Sequence, residues 1–374
     1  MAASESNFIF LTCKRESTPL LKDEMKLRFP ELRFSYSRPS FLTYKLPDAV
    51  ASAEEAKSLF ARAAGLHFAS SLSLSLGKIT GGAADEMPDL FAEFIRPRLP
   101  DALTPADEPS AVPHRVHFWT PADPAPTPES AALTARLAEF LPPAAAETFP
   151  FLPPRIGETV LDCAAVTPTE WHIGVHPVTG YHSRFAGGFV PLVIPTDGTS
   201  RAWMKFEEGL RWSGFPIGRG SRCADIGASP GGGSQALLAR GAEVLGVDPA
   251  EMAPSVLRNP DFTHLRGKIG QLKRKLFRKT RWLIGDMNVA PNYTLDVFEE
   301  LTSAPDLEIR GLLFTLKLFQ TELAKNIPEF IGRVRSWGFN QVKVRQLTFN
   351  RQEVMLAALK HPFRPKCPHR GKMD

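Results

Sequence analysis

Cysteine is scarce in this chain. There are four, Cys13, Cys163, Cys223 and Cys367, and no two form a C-x-x-C pair. That scatter argues against a disulfide framework and against a zinc site, and no metal is expected. An uninterrupted apolar run of about 18 residues is also missing, so no transmembrane helix is expected. Residues Met1 to Asn7 lack the basic and apolar regions of a secretory leader, which points to a cytoplasmic protein. No internal repeat is visible. A length of 374 residues with 43% hydrophobic content supplies core for two or three domains.

Charge is unevenly spread. Residues 1–200 hold 17 Lys/Arg against 23 Asp/Glu, and residues 201–374 hold 28 against 17. A basic C-terminal half suggests a polyanionic partner, or else a solvated basic surface. Its densest part, Arg266 to Arg281, has eight basic residues in sixteen and no acid. The candidates for phosphate contact with a nucleic acid there are Lys273, Arg274, Lys275, Arg278, Lys279 and Arg281, which precede the Asp286 strand and are expected near its pocket rim. The same stretch also reads as an amphipathic helix with Ile269, Leu272, Leu276 and Phe277 inward. The tail from Lys360 to Lys372 is basic and broken by proline.

The N-terminal 80 residues read as β-α-β-β-α-β, the order of a ferredoxin-like unit. Pro97 to Pro128 is proline-rich and reads as a linker or embellished loop. Strands over Thr159–Ala165, Glu170–Val175 and Gly188–Val193 suggest a second small α/β unit over 81–195. Trp171, His172 and His176 could form a site, but packing explains them more simply. From 196 to 374, strand candidates at 222–226, 243–247, 282–286, 311–316, 341–346 and 354–359 alternate with helical stretches, which calls for an α/β domain with a mostly parallel sheet.

The chemistry concentrates at Asp225-Ile-Gly227-Ala228-Ser229-Pro230-Gly231-Gly232-Gly233. An apolar strand ends in an acid, a glycine-rich turn follows, and a helix begins. Glycine lets backbone approach a ligand closely. A second strand ends in Asp248, 23 residues on, placing two carboxylates at neighbouring strand ends for the hydroxyls of a nucleoside-type cofactor. Gly231-x-Gly233-x-x-Ala236 also matches a dinucleotide fingerprint, but Ala228 to Pro230 intervene between strand and glycines. The acid-first form suits S-adenosylmethionine better than NAD; a nucleotide-dependent oxidoreductase is the rival reading. Charged residues stand at further strand ends: Asp286 after Trp282-Leu-Ile-Gly, Lys317 after Leu312-Leu-Phe-Thr-Leu, and Glu353 opening a late strand, with Lys205 upstream. Together beside a cofactor turn they form a site hypothesis.

The ordered set Lys205, Asp286, Lys317, Glu353 resembles the Lys-Asp-Lys-Glu tetrad of the FtsJ-like ribose 2′-O-methyltransferases. The local wording is closer still to the RlmM-type branch acting on 23S ribosomal RNA, through Lys205-Phe-Glu-Glu, Asp225-Ile-Gly-Ala-Ser-Pro-Gly-Gly, Val247-Asp248, Asp286-Met287, Leu316-Lys317-Leu318 and Arg345-Gln-Leu…Arg351-x-Glu353-Val354. The resemblance implies a Rossmann-like, S-adenosyl-L-methionine-dependent methyltransferase domain over 196–374. It further implies an N-terminal RNA-binding module, ferredoxin-like over 1–80 and THUMP-like over 81–195. Cofactor contacts would come from Asp225, Gly227, Ala228, Ser229, Pro230, Gly231, Gly232, Asp248 and Asp286. Lys317 would be the general base, with Asp286 orienting it and Glu353 positioning Lys205 and the ribose. The implied partner is RNA, 23S rRNA or a large-subunit precursor, with no membrane. A non-catalytic RNA-binding protein on a degenerate methyltransferase fold is the alternative. The chain departs from the branch at Ser229 for Cys, Gly233 for an aromatic, Phe349 for His, and Gly267-Lys268 where an acid often meets the cofactor's adenine.

Overall fold

A computed structural model describes residues 7–50, 52–98, 113, 115–141 and 153–361. Nearly half of the proline-rich stretch and nearly all of the basic tail lie outside the described residues. The chain divides into two compact units, Met1–Leu192 with Arg345–Thr348, and Val193–Val344 with Phe349–Asp374.

The first unit contains β1 (Phe8–Cys13), α1 (Thr18–Arg28), β2 (Arg33–Arg38), β3 (Phe41–Lys45), α2 (Ala53–Ala63), β4 (Ala69–Thr80), α3 (Met87–Ile95), β5 (Arg115–Trp119), α4 (Pro128–Ala138), β6 (Thr159–Thr167) and β7 (Glu170–Pro177). One sheet carries them all, in the order β2-β3-β1-β4-β7-β6-β5. The two subdomains expected from sequence therefore share a sheet, joined where β4 pairs antiparallel with β7. Strand β1 is apolar and buried because it is central, whereas β2, Arg-Phe-Ser-Tyr-Ser-Arg, lies at the edge and is mostly exposed. Phe10, Phe41, Trp119 and Ala164 pack into one core cluster. Helix α4 starts at a capping box in which Thr127 and Ser130 satisfy each other's backbone N–H groups.

Residues 345–348 complete this unit. Ser17 Oγ donates to Gln346 Oε1 at 2.6 Å, the Gln346 amide donates to His67 O at 2.8 Å, and Lys14 Nζ donates to Thr348 O at 2.6 Å. One expected strand is not formed. Within 188–193 the chain runs irregularly, because Gly187 and Gly188 take φ of 58° and 72° and turn it away from extended backbone, and Pro191 offers no N–H to a ladder.

The second unit contains α5 (Ala202–Ser213), β8 (Arg222–Ile226), α6 (Gly232–Leu238), β9 (Glu243–Asp248), α7 (Pro254–Leu257), β10 (Phe262–Arg266), β11 (Trp282–Gly285), α8 (Pro291–Thr302), β12 (Gly311–Lys317), α9 (Ile327–Ser336), β13 (Gln341–Arg345) and β14 (Glu353–Leu359). Its sheet runs β10-β9-β8-β11-β12-β14-β13. From β10 to β12 all pairs are parallel, and β14 runs antiparallel to β12. This is a Rossmann-like α/β sheet. Strand β12 is buried along its whole length, and Phe314 stacks on Phe298 with ring centroids 4.2 Å apart. Chain order departs from β8 in both directions, so the topological switch point lies between β8 and β11, where open α/β sheets bind ligands beyond the strand ends.

Two local readings change. Residues 262–266 form a strand that periodicity had not marked. The basic stretch is not an amphipathic helix: it makes two short 3-10 turns, Ile269–Gln271 and Arg274–Phe277, and of its four apolar residues only Phe277 is buried. Gly267 at φ 157° and Gly270 break helical continuity there.

Candidate active site

The site grows from three strand ends. Strand β8 stops at Ile226, and Gly227 then turns at φ 78°. The amides of Gly227 and Ala228 both donate to Val247 O, at 2.9 and 3.2 Å, stitching the turn to β9. Asp248 completes the stitch: Oδ2 accepts from the Ser229 amide at 3.0 Å and Oδ1 from the Ala250 amide at 2.8 Å. Gly231 has φ 123°, and a Cβ there would lie 2.6 Å from Val256 Cγ2. The turn is thus a backbone surface that only glycine allows.

Asp225 faces inward. It is 1% exposed, and its Oδ2 accepts from Ser234 Oγ at 2.8 Å. Burial pushes its carboxyl up to about 7, the Ser234 hydrogen bonds offset this in part, and Asp286 and Asp248 add to the rise. Its geometric role is to tie the end of β8 to the first turn of α6. Gly233 is explained beside it: a Cβ would come within 2.8 Å of both Asp225 Oδ2 and the Phe206 ring. Phe206, 1% exposed on α5, fills the space an aromatic at 233 would otherwise claim.

The four predicted charged residues are brought together. Lys205 lies on α5, Asp286 just past β11, Lys317 at the end of β12, and Glu353 at the start of β14. Antiparallel pairing places Lys317 directly opposite Glu353. Lys205 Nζ is 2.8 Å from Asp286 Oδ2 and 2.6 Å from Glu353 Oε1. Lys317 Nζ is 2.6 Å from Asp286 Oδ1 and bonded also to Glu353 Oε2. The result is a closed ring of alternating charge with no net charge. Thr315 Oγ1 adds a donation to Asp286 Oδ1 at 2.6 Å, and Asn350 Nδ2 donates to Glu353 Oε1 at 3.4 Å.

Burial alone would raise the Asp286 carboxyl, but Lys205 and Lys317 override it and hold the group down at about 2. Burial likewise favours neutral Lys317, yet Asp286 and Glu353 win and raise its ammonium above the ordinary lysine range. Lys317 therefore rests protonated.

A cleft of about 390 Å³ opens over the ring. Lys205, Ser229, Asp286, Lys317 and Glu353 line it, and so do Arg201, Asn288, Phe319 and Arg351. Phe319 is half exposed, at 50%. Arg201 and Phe319 were not among the predicted site residues; an exposed aromatic two residues past Lys317 was the available signal. The basic stretch is elsewhere. Lys279 and Arg281 line a different cleft, with Arg219, Arg222, Arg310 and Lys360, at the opposite end of the strands. The parallel strand β11 only begins at Trp282, so residues just before it sit at the end of the sheet away from Asp286. Arg274, Arg278 and Arg281 there are paired with Glu300, Asp306 and Glu308.

A glycine turn thus stands at the switch point of a Rossmann-like sheet with an ionic ring beside it, the arrangement of a nucleoside-binding α/β fold. Residues 199–360 match the family described as FtsJ-like methyltransferase. The chain is 30% identical over 191 residues to the ribosomal RNA large subunit methyltransferase M of Salmonella arizonae, covering 47% of this chain and 52% of the relative. It is 24% identical over 212 residues to the protein of the same name from Pseudoalteromonas translucida, covering 54% and 58%. The chain thus spans about half the length of the curated relatives it matches. Among solved structures, TrmN from Thermus thermophilus aligns with 14% identity and a TM-score of 0.33, over 94% of this chain and 99% of that one. Fibrillarin from Aeropyrum pernix, in complex with S-adenosyl-L-methionine, aligns with 16% identity and a TM-score of 0.33, over 55% and 84%.

The residues present suit that cofactor. The turn from Gly227 to Gly233 carries no basic side chain for a pyrophosphate. Asp248 stands at the next strand end, where a carboxylate would meet ribose hydroxyls. Among the described residues no helix is long and apolar enough to cross a membrane.

Proposed function

We propose that this protein transfers a methyl group from S-adenosyl-L-methionine to a ribose 2′-hydroxyl of RNA, with 23S rRNA as the substrate. The observation that carries this reading is the closed ring Lys205–Asp286–Lys317–Glu353 beside the Gly227–Gly233 turn. The curated relatives named as ribosomal RNA large subunit methyltransferases point to the same substrate.

The cofactor supplies an electrophilic methyl when bound. A ribose hydroxyl is a poor nucleophile and must lose its proton as it attacks. Lys317 Nζ would take that proton, but it rests as an ammonium. It must first surrender a proton, and a second ammonium, Lys205, about the same carboxylates favours that loss. Asp286 and Glu353 then hold the two lysines in place, and alignment of oxygen and methyl supplies much of the remaining acceleration. Phe319, Arg201 and Arg351 around the cleft suit a splayed nucleotide: an aromatic face for a base and guanidinium groups for phosphates.

The N-terminal unit is proposed as the RNA-targeting module, ferredoxin-like over 1–80 and THUMP-like over 81–195. The order β2-β3-β1-β4 over its first four strands supports the ferredoxin-like part.

Transfer of tritiated methyl to protein-free 23S rRNA tests the reading. Wild type should label the RNA, and Lys317→Ala should lose ~10²- to 10⁴-fold in rate, the usual span for a general base. No labelling by wild type, or an unchanged rate in the variant, would refute it.

A further inference from the structure

The first unit holds a buried cluster that the methyl-transfer reading does not use. His117 on β5, Asp162 on β6 and His176 on β7 offer ligand atoms that lie within 4.8 Å of one another. Sheet pairing builds the group. His117 is the register partner of Asp162, and His176 sits on the strand paired to the other side of β6. Relative exposures of 9%, 1% and 5% put all three away from solvent.

Two atoms in the cluster are unsatisfied. His117 Nδ1 and Asp162 Oδ1 are buried, point at each other across 3.8 Å, and neither makes a hydrogen bond. Leaving two such groups unmet in a core is costly. The remaining contacts are those of an oriented ligand set. His176 Nε2 donates to Ser183 O at 2.8 Å, which turns Nδ1 toward Asp162. Asp162 Oδ2 is 2.5 Å from that Nδ1 and also accepts from Ser73 Oγ at 2.6 Å. An imidazole oriented through one nitrogen by a carbonyl is the common outer arrangement of metal-bound histidine.

We propose that His117 Nδ1, Asp162 and His176 Nδ1 bind one divalent transition cation of the zinc type, which staples the edge strand β5 to β6 and β7. Two imidazoles and a carboxylate are the donor set that zinc takes with three protein ligands. Ligand atoms around a tetrahedral zinc stand ~3.3 Å apart, as bond lengths of about 2.0–2.1 Å require. The observed spacings of 2.5 and 3.8 Å bracket that value. Binding would fill the gap at His117 and Asp162 and displace the proton between His176 and Asp162 to solvent. The absence of paired cysteines excludes only thiolate zinc sites; a ligand set drawn from three separate strands leaves no spacing motif to find.

Full-length protein, dialysed against chelator, should take up one equivalent of Co(II) with the visible absorption of a four-coordinate nitrogen and oxygen site. Zn(II) should displace it and raise Tm by several degrees. His117→Gln should abolish uptake, and Ser73→Ala should weaken it ~10-fold. No Co(II) absorption and no Zn(II)-dependent Tm change in wild type would overturn the proposal, as would uptake that persists in His117→Gln. If that variant does not fold, the wild-type spectrum decides: thiolate charge-transfer bands would place the ion on cysteine and sink the assignment, and their absence alongside the expected bands would support it.

Discussion

Lys317 Nζ lies 2.6 Å from Asp286 Oδ1, and this contact, doubled by Glu353 on its other side, sets the state in which the site rests. Both neighbours raise the lysine above its ordinary value. If Lys317 takes the ribose proton, only its deprotonated fraction is active. The rate should therefore climb with pH into the alkaline range, and do so without a plateau near neutrality. Glu353→Gln removes one of the two carboxylates, so its profile should rise at lower pH than that of wild type while its maximum falls. Single-turnover methyl transfer measured from about pH 6 to 10 checks this. A rate independent of pH over that span, once RNA integrity is controlled, would remove Lys317 as the proton acceptor.

Phe319 is exposed at the cleft on a chain segment that leaves directly from Lys317. A base stacked on such a ring is worth about 1–3 kcal/mol. Phe319→Ala should raise KM for RNA by ~5- to 150-fold, with KM for the cofactor unchanged. Arg351→Ala should weaken RNA binding and flatten its salt dependence by about one phosphate contact. A kcat loss with no change in RNA affinity at Phe319 would show that the ring supports the ionic cluster and not the substrate.

Much of this site was legible because strand ends concentrate it. Asp286 and Lys317 follow apolar runs that could only be buried parallel strands, and their charges had to emerge at one edge of the sheet. The pairing of Lys317 with Glu353 was not legible, since it depends on the register of an antiparallel strand. Strand β10 was hidden because Phe-Thr-His-Leu-Arg at a sheet edge carries little hydrophobic signal. The place of the basic stretch follows from topology: nearness in sequence to Asp286 means the near end of β11, a strand's length away from its far end. His117, Asp162 and His176 are separated by long stretches and meet only across three strands. Gly233 departs from the family pattern, and only the packing of Phe206 in the space beside it shows why.

Asp225 supplies a stability test that needs no substrate. Its carboxyl is raised by burial from the ordinary aspartate range to about 7. The folded chain therefore holds this proton more tightly than the unfolded chain does between roughly pH 4 and 7. Across that window each increment of pH lowers folding stability through this group, and the loss is complete above about pH 7. Asp225→Asn keeps an acceptor for Ser234 and cannot ionise. Its Tm relative to wild type should rise as pH goes from about 4.5 to 8. A difference that does not change with pH would mean that Asp225 is ionised throughout and that Ser234 and the α6 backbone satisfy it fully.

The basic stretch allows a finer test than its charge count suggested. Arg274, Arg278 and Arg281 already face carboxylates, whereas no ion pair is found for Lys273, Lys275 or Lys279 among the described residues. A cation already paired releases few counterions from RNA when it binds, because it must first give up its carboxylate. A free lysine brings its full charge. If this surface contacts RNA, the triple change Lys273→Ala, Lys275→Ala, Lys279→Ala should lower the slope of log affinity against log salt by roughly 2 to 3, at about 0.7–0.9 per phosphate contact. The matching arginine triple should lower it less, since removing those side chains also frees Glu300, Asp306 and Glu308 to repel the backbone, a cost that appears in affinity at all salt concentrations. Filter binding to 23S rRNA fragments over a salt series separates the two. Equal slopes for wild type and the lysine triple would leave this stretch a solvated surface and move the search for phosphate contacts to Arg201 and Arg351 over the ring.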